Sequence, residues 1–183
     1  MKITPAEFLQ TELDNGVSAD NPNFVQLGMA TVNAIGVDYN TVLDFGSGTG
    51  VYAEQFRKSG KDVYAFEIWE EHRRYIKQHF PLVKLVDEVF TTDMLLMIEV
   101  AEHMMDDEIK MYMSKMEPKF ILFSSTSFRT DFDEMWGHVN VKDQDDWIAF
   151  WDALGYFVKF QLGTPTSWTK LLQKKSDEST IQF

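Results

Sequence analysis

Residues 42–50, with the sequence VLDFGSGTG, combine features that suit the binding of a charged ligand. A short run with strand character leads to Asp44, and a turn follows with glycine at every second position, at Gly46, Gly48 and Gly50. Glycine lets backbone amides come close to a bound molecule, and the helix after the turn points its N-terminus at the same place. A carboxylate at the strand end repels pyrophosphate and attracts an ammonium or sulfonium group. The segment therefore predicts a site for a nucleoside that carries an amino acid.

Glu67, which lies seventeen residues after Gly50, adds a second acid at the end of the next predicted strand. A carboxylate there can accept both hydrogens of a vicinal diol such as that of a ribose. Dinucleotide-binding enzymes place an acid similarly, but their turn reads G-x-G-x-x-G. This turn reads G-x-G-x-G with Asp44 before it. The two acids together favour a positively charged nucleoside over a dinucleotide.

The elements that hold these residues alternate between strand and helix from residue 41 onward. Apolar runs and turn residues predict seven strands, over residues 42–45, 62–67, 82–86, 94–100, 119–126, 156–163 and 167–175. Helical periodicity predicts six helices, over residues 5–13, 23–35, 51–59, 69–80, 106–116 and 144–154. The alternation indicates a parallel sheet with right-handed crossovers, and the last two strands, with no helix between them, indicate a hairpin. We therefore predict an α/β fold: a Rossmann-like, mostly parallel seven-stranded sheet with a C-terminal antiparallel hairpin and a helical N-terminal extension.

The composition limits the number of domains and the kinds of partner. A length of 183 residues, of which 44% are hydrophobic, suits one domain with a substantial core. The chain has no cysteine, so it has neither disulfides nor thiolate metal ligands. A net charge of −12 makes a nucleic-acid partner unexpected, although a small molecule, a peptide or the end of a strand stays open. With no apolar run of about 20 residues and no secretory signal at the start, we expect a cytoplasmic protein without membrane contact.

These motifs resemble those of class I S-adenosylmethionine-dependent methyltransferases, over roughly residues 41–174. VLDFGSGTG is similar to the first motif of that family, and Glu67 stands where the family binds the two ribose hydroxyls. MIEVAEH, at residues 97–103, is similar to the fourth-strand signature, and GHVNVKDQDDWIAFWDALGYF resembles the segment that leads into the C-terminal hairpin. The resemblance implies S-adenosyl-L-methionine as the cofactor. It also implies a single domain over residues 1–183, with a helical lid at 1–40 and the catalytic sheet and helices at 41–175.

The resemblance further implies a set of cofactor-binding residues at the carboxyl edge of the sheet: Asp44, Gly46, Ser47, Gly48, Gly50, Glu67, Ile68, Asp87 and Glu99. Asp87 would contact the adenine amino group, and the alternative is a surface acid. Trp69 would stack on the adenine or pack against the sheet edge. Glu67 could also be a solvated acid, and the glycines could form only a tight turn.

Methyl transfer from a sulfonium requires a positioned nucleophile and, for a hydroxyl or an ammonium group, a base. The implied catalytic residues are His103, Glu102 and His138, with His103 as the base because a histidine pKa lies near neutral pH. The alternative is that His103 caps a helix or orders a loop. The loop over residues 124–140 should shape the acceptor pocket, where Arg129 would hold a carboxylate or phosphate or pair with Asp131.

We therefore expect methyl transfer to an oxygen or nitrogen of a small-molecule acceptor, without a metal. One alternative follows from Glu99, Glu102, His103 and His138, which resemble the metal site of small-RNA 3′-terminal 2′-O-methyltransferases. Two oxygen and two nitrogen ligands suit Mg²⁺ or Mn²⁺. Another alternative is a cofactor-binding subunit without catalysis. The sequence leaves the oligomeric state open, and it predicts that the tail, residues 176–183, frays.

Overall fold

A computed structural model of the chain describes residues 3–176. Its strands are β1 (Thr41–Phe45), β2 (Asp62–Phe66), β3 (Lys84–Val86), β4 (Met94–Ile98), β5 (Phe120–Ser124), β6 (Tyr156–Gln161) and β7 (Lys170–Lys174). Its helices are α1 (Pro5–Asp14), α2 (Pro22–Ala34), α3 (Val51–Lys58), α4 (Glu70–His79), α5 (Asp106–Met116), α6 (Asp133–Trp136) and α7 (Gln144–Ala153). None of the helices within residues 3–176 combines the length and the apolar composition needed to cross a bilayer. Apart from residue 176, the predicted frayed tail lies outside the described residues.

The strands form one sheet in the order β3-β2-β1-β4-β5-β7-β6. The first five pair in parallel, whereas β7 pairs antiparallel with both β5 and β6. The predicted seven-stranded sheet with its C-terminal antiparallel hairpin is therefore confirmed. Strand order reverses direction between β1 and β4, and an open α/β sheet binds its ligands at the carboxyl ends of the strands beside such a switch point.

The central strand β4 is apolar along its whole length because helices cover both faces of the sheet. Leu95 and Met97 belong to the core layer on one face, and Met94 and Leu96 belong to the layer on the other. This alternation is the two-residue period of a strand. It fixes the register of β4, and with it the position of the residues that follow the strand.

Six of the seven strands are shorter than the sequence predicts, and the differences that matter for the candidate site fall at the ends of β2 and β4. β2 ends at Phe66 and β4 ends at Ile98, so Glu67 and Glu99 lie outside the ladders. These residues leave the sheet at its edge, where their side chains face the space above it. β3 begins late because Leu82 lies in a turn and is 69% exposed.

The N-terminal extension is helical, as predicted. α1 begins with a capping box, in which Thr4 Oγ1 accepts a hydrogen bond from the Glu7 amide and Glu7 Oε2 accepts one from the Thr4 amide. Pro5 occupies the first helical turn, where no backbone donor is needed. α2 packs closely on α3, because a Cβ at Gly28 would lie 2.9 Å from Gln55 Cγ.

Two short helical segments occupy positions that the sequence assigns to loops. Ala101–His103 forms a 3₁₀ turn after β4, and α6 interrupts the loop between β5 and α7. Both carry residues of the candidate site, so they fix its geometry more firmly than an irregular loop would.

Candidate active site

A cavity of about 1180 Å³ opens at the carboxyl ends of β1, β2 and β4. The glycine turn after β1 and the residues that follow β2 and β4 form one side of it. The loop between β5 and α7 forms another side, and α1 contributes Phe8 and Glu12. The predicted cofactor and catalytic residues therefore meet around one cavity, except that Gly50 and Asp87 are outside its lining.

Asp87 lies outside the described residues that line the cavity. Its side chain is exposed, and its Oδ1 atom is 2.7 Å from Arg73 Nη2. Arg73 also donates to the carbonyl oxygens of Glu67 and Val86, each at 3.0 Å. This geometry matches the surface-acid alternative for Asp87. Arg73, which sequence reasoning missed, joins the ends of β2 and β3.

The backbone amides of the glycine turn donate hydrogen bonds to other groups of the protein. The amides of Gly46 and Ser47 donate to the carbonyl oxygen of Phe66, at 2.8 and 3.2 Å. The Gly48 amide donates to Glu67 Oε2 at 2.9 Å. The expectation that bare amides of this turn face a ligand is therefore wrong for these three. They anchor the turn to the end of β2 instead.

The glycines of the turn are required by conformation and by space. Gly46, Gly48 and Gly50 have φ values of 68°, 51° and 75°, in the left-handed region that favours glycine. A Cβ at Gly50 would lie 2.7 Å from Ile76 Cγ1, and one at Gly46 would lie 2.9 Å from a methyl group of Val100. Close packing of the turn against α4 and the segment after β4 therefore depends on the missing side chains.

Asp44 is buried at the base of the cavity, with 4% of its surface exposed. Its Oδ2 atom accepts a hydrogen bond of 3.1 Å from the amide of Ala53, in the first turn of α3. Burial is the main cause that raises the pKa of Asp44 to about 7; the Ala53 amide opposes this shift and the nearby Glu67 carboxylate adds to it. A cation bound beside Asp44 would favour the ionised form, which is the electrostatic role the sequence predicts.

Glu67 is also buried, and both of its carboxylate oxygens already accept hydrogen bonds. Oε2 accepts from the Gly48 amide and Oε1 accepts from the Trp69 amide, each at 2.9 Å. Burial raises the pKa of Glu67, and these backbone donors oppose that shift. An ionised carboxylate has about four acceptor positions, so it can still accept hydrogen bonds from a diol. Ile68 follows on the cavity wall with 69% of its surface exposed.

Trp69 lies on the cavity wall beside α1. Its ring centroid is 5.0 Å from that of Phe8, in an edge-to-face contact. Phe8 also contacts the rings of His72, His103 and Trp136, at 6.1, 6.0 and 5.5 Å. Phe8 therefore connects the cofactor side of the cavity with the side that holds the two histidines.

Glu99 follows β4 and has a φ of 55°, a strained conformation for a residue other than glycine. Its amide donates to the carbonyl oxygen of Ser124 at 2.9 Å, which holds the residue against β5. Restricted hydration on the cavity wall and, to a smaller extent, the neighbouring Glu102 carboxylate together raise the pKa of Glu99 to about 8. Glu99 is therefore a carboxyl group that a bound cation would ionise.

Glu102 is almost fully buried and joins three segments. Its carboxylate accepts hydrogen bonds from Ser125 Oγ at 2.8 Å and from the Thr126 amide at 3.0 Å. Its carbonyl oxygen accepts from the amides of Val139 and Asn140, at 2.8 and 3.0 Å. Glu102 thus holds the 3₁₀ turn, the end of β5 and the loop after α6 in register.

His103 and His138 lie side by side on the cavity wall, with ring centroids 4.9 Å apart. Burial lowers the pKa of His103, which favours a neutral imidazole at neutral pH. His138 Nδ1 is 3.2 Å from Asp133 Oδ1. Sequence reasoning missed Asp133, and the only signal was its position five residues before His138 in the acceptor loop.

Glu102, His103 and His138 could also hold a metal ion, because one ligand atom from each lies within 4.8 Å of the others. One oxygen and two nitrogen donors suit Mn²⁺ or a similar divalent ion. The carboxylate that holds the far nitrogen of His138 is also common around metal-binding histidines. Glu99, the fourth residue of the predicted metal set, is outside this group.

The chain is similar to known proteins in both sequence and fold. The sequence matches the family described as "Methyltransferase domain" over residues 15–175, whereas no curated protein matches it. The fold is similar to that of DesVI from Streptomyces venezuelae, with a TM-score of 0.67 and 12% identity, covering 95% of this chain and 100% of that one.

Two further solved structures share the fold. The magnesium protoporphyrin IX methyltransferase ChlM from Synechocystis PCC 6803, solved with bound SAM, has a TM-score of 0.59 and 16% identity, covering 95% of this chain and 86% of that one. The mitomycin 7-O-methyltransferase MmcR has a TM-score of 0.62 and 15% identity. That match covers 85% of this chain, which spans only 55% of MmcR.

Proposed function

Because the chain belongs to the methyltransferase-domain family and is an S-adenosylmethionine-dependent methyltransferase, we propose that it methylates an oxygen or nitrogen of a small molecule. The observation that carries this proposal is the single cavity shared by the acids of the glycine turn and the two histidines. Its volume of about 1180 Å³ lies above the usual range for one small ligand, so it can hold a cofactor and an acceptor together.

The cofactor would lie along β1 and β2. Glu67 would accept hydrogen bonds from the ribose hydroxyls, and Asp44 would face the positively charged amino-acid end. Gly46, Gly48 and Gly50 would bring the backbone close to the ligand, with Ser47 and Ile68 beside them. Glu99 would add negative charge near the sulfonium. This placement is supported by the lining of the cavity, which includes all of the predicted cofactor residues except Gly50 and Asp87.

The reaction would be an in-line displacement at the methyl carbon. S-adenosylmethionine would supply the methyl group with its sulfur as the leaving group, and the acceptor oxygen or nitrogen would supply the electron pair of the new bond. The acceptor proton would pass to a neutral imidazole, His103 or His138. Glu102 would act by holding the segments that carry both rings.

Residues 1–40 would form a lid on a single catalytic domain. α1 supports this role because Phe8 reaches rings on both sides of the cavity and Glu12 Oε2 is 2.7 Å from His72 Nε2. Exchange of the cofactor would then require α1 to move. A cytoplasmic location stays a prediction from composition.

The proposal is tested by incubating the protein with methyl-labelled S-adenosylmethionine and a panel of small hydroxyl and amine acceptors. We expect S-adenosylhomocysteine to form together with a labelled product of low mass. The variant Asp44→Ala serves as the control for background hydrolysis. Label that appears only in added RNA, or no product with any acceptor, would contradict the proposal.

A second candidate is metal-assisted methylation of the terminal 2′-hydroxyl of an RNA. It is favoured by the group of Glu102, His103 and His138, because a bound divalent ion would lower the pKa of a coordinated hydroxyl. The net charge of −12 opposes an RNA substrate. Metal analysis of protein purified without chelators separates the candidates, since a stoichiometric divalent ion would support the second.

A further inference from the structure

We propose that Asp133 is a positioning residue that holds the His138 ring with Nδ1 protonated, so that Nε2 presents its lone pair to the acceptor site. The inference deepens the proposed function and rests on it for its meaning. It concerns one hydrogen bond, however, and that bond can be measured in the resting protein without any substrate.

The loop between β5 and α7 holds Asp133 and His138 close together. Asp133 begins α6 and is 8% exposed. Its Oδ1 atom is 3.2 Å from His138 Nδ1, and its carbonyl oxygen accepts a hydrogen bond of 2.8 Å from the His138 amide. Thr130 donates to the same carboxylate through its amide, at 3.0 Å, and through Oγ1, at 2.9 Å. Backbone and side chain thus fix Asp133 and His138 relative to each other.

The contacts of the Asp133 carboxylate determine which atom donates the hydrogen bond between Asp133 and His138. The Asp133 carboxylate already accepts two hydrogen bonds, from the amide and the hydroxyl of Thr130. An ionised carboxylate can only accept hydrogen bonds, so His138 Nδ1 must be the donor. In the neutral imidazole the lone pair is then on Nε2.

The two histidines of the cavity differ in the contacts of their rings. Of His103 and His138, only His138 has a carboxylate hydrogen-bond partner among the described residues. The His103 ring instead contacts aromatic rings, with its centroid 6.0 Å from that of Phe8 and 4.9 Å from that of His138. A ring oriented by a carboxylate is the arrangement that gives an imidazole a defined role, both in proton transfer and at a metal ion. Asp133 would therefore fix His138 for either chemistry.

The test uses nitrogen-15 NMR of the full chain with labelled histidine, recorded above the histidine pKa range. The chain has four histidines, and the variant His138→Gln identifies the His138 signals. Asp133→Asn removes the ionised acceptor while it keeps the shape of the side chain. Asp131→Asn is the matched control, because Asp131 lies two residues away, is exposed, and lies outside the described lining of the cavity.

We expect wild-type His138 to be protonated on Nδ1. Asp133→Asn should change the ratio of the two ring tautomers by about tenfold or more, the equivalent of about 1.4 kcal/mol, and Asp131→Asn should leave the ratio unchanged. A wild-type ring protonated on Nε2 would overturn the proposal, and so would an equal change in both variants. The wild-type spectrum is decisive even if Asp133→Asn does not fold.

The outcome is separable from that of the proposed function. If the NMR result is as expected but no small-molecule acceptor is methylated, the proposed function fails and the role of Asp133 in fixing the ring stands. If methylation occurs but wild-type Nδ1 carries no proton, the role of Asp133 fails alone.

Discussion

The cofactor side and the acceptor side of the cavity are built differently. On the cofactor side, Asp44 lies near the end of β1, and the glycine turn and Glu67 follow β1 and its parallel neighbour β2. The two carboxylates accept hydrogen bonds from nearby backbone amides. On the acceptor side, Glu102 and His138 belong to a 3₁₀ turn and to a loop that meet through contacts between distant segments. The residues of the cofactor side are supplied by two neighbouring strands and the turns that follow them, whereas those of the acceptor side are brought together by contacts between segments distant in the sequence. The difference predicts which changes will affect the cofactor and which will affect the acceptor.

The largest effect should come from Gly50→Ala. The new Cβ would lie 2.7 Å from Ile76 Cγ1, at a φ of 75°. Overpacking and the left-handed conformation together should lower the free energy of unfolding by about 2–5 kcal/mol. Denaturant unfolding measures the loss.

Gly60→Ala is the matched control for that variant. Gly60 has a φ of 87°, but a Cβ there would have no atom within 4 Å. We expect only the conformational cost, about 1–2 kcal/mol. Equal losses in the two variants would show that the close packing of the glycine turn on α4 does not matter for stability.

The next effect should be on cofactor affinity. Asp44→Ala and Glu67→Ala should each weaken S-adenosylmethionine binding at least tenfold, about 1.4 kcal/mol, because each removes a carboxylate from the cofactor side. Isothermal titration calorimetry measures the change. Asp87→Ala, which removes an exposed acid outside the cavity lining, should leave the affinity unchanged. Unchanged affinity in both of the first two variants would contradict the assignment of the site.

The pH dependence of cofactor binding should follow the ionisation of Asp44. The pKa of Asp44 is raised to about 7, so the folded protein without ligand holds this proton more tightly than the unfolded chain does. Raising the pH from the ordinary Asp value toward 7 therefore lowers the stability of the ligand-free protein. The same ionisation strengthens attraction to the ammonium group at the amino-acid end of the cofactor.

Affinity for both S-adenosylmethionine and S-adenosylhomocysteine should therefore rise with pH through about 7, because both carry the ammonium group that would lie beside Asp44. Asp44→Asn should flatten the rise. Calorimetry at several pH values checks this, and an affinity for the cation that falls over the same range would contradict the electrostatic role of Asp44.

The smallest effect should come from the lid. Phe8→Ala removes edge-to-face contacts on both sides of the cavity. Aromatic pairs contribute about 0.5–1.5 kcal/mol, so cofactor dissociation should become about threefold faster. Gln10→Ala, an exposed residue on the same helix, is the control for stopped-flow measurement of that rate. Identical rates in wild type and Phe8→Ala would argue against a closed lid.

The comparison also explains what the sequence could predict. Strand–helix alternation determines the sheet, and Asp44, the glycines and Glu67 are recognisable because they are nearly contiguous in the chain. The sequence could not predict that the turn amides donate hydrogen bonds within the protein, because their acceptors, Phe66 and Glu67, lie at the end of β2. The motif of Asp44, the glycines and Glu67 therefore predicts where the cofactor side lies, but it does not predict the hydrogen bonds there.

The acceptor side was predicted less completely. His103 and His138 do meet, as expected. Asp133 was missed because its contact depends on α6, for which the periodicity gives no signal over four residues. Phe8 was missed because helical spacing in α1 does not say which neighbour its ring will contact. Loop conformation and lid packing depend on tertiary contacts that local patterns do not encode.

The most direct test of the central claim is a crystal structure with S-adenosylhomocysteine bound. We predict the ribose hydroxyls within hydrogen-bonding distance of the Glu67 carboxylate, the amino-acid end beside Asp44, and the sulfur directed toward His103 and His138. A nucleoside bound elsewhere, with both acids left facing solvent or protein, would contradict the account.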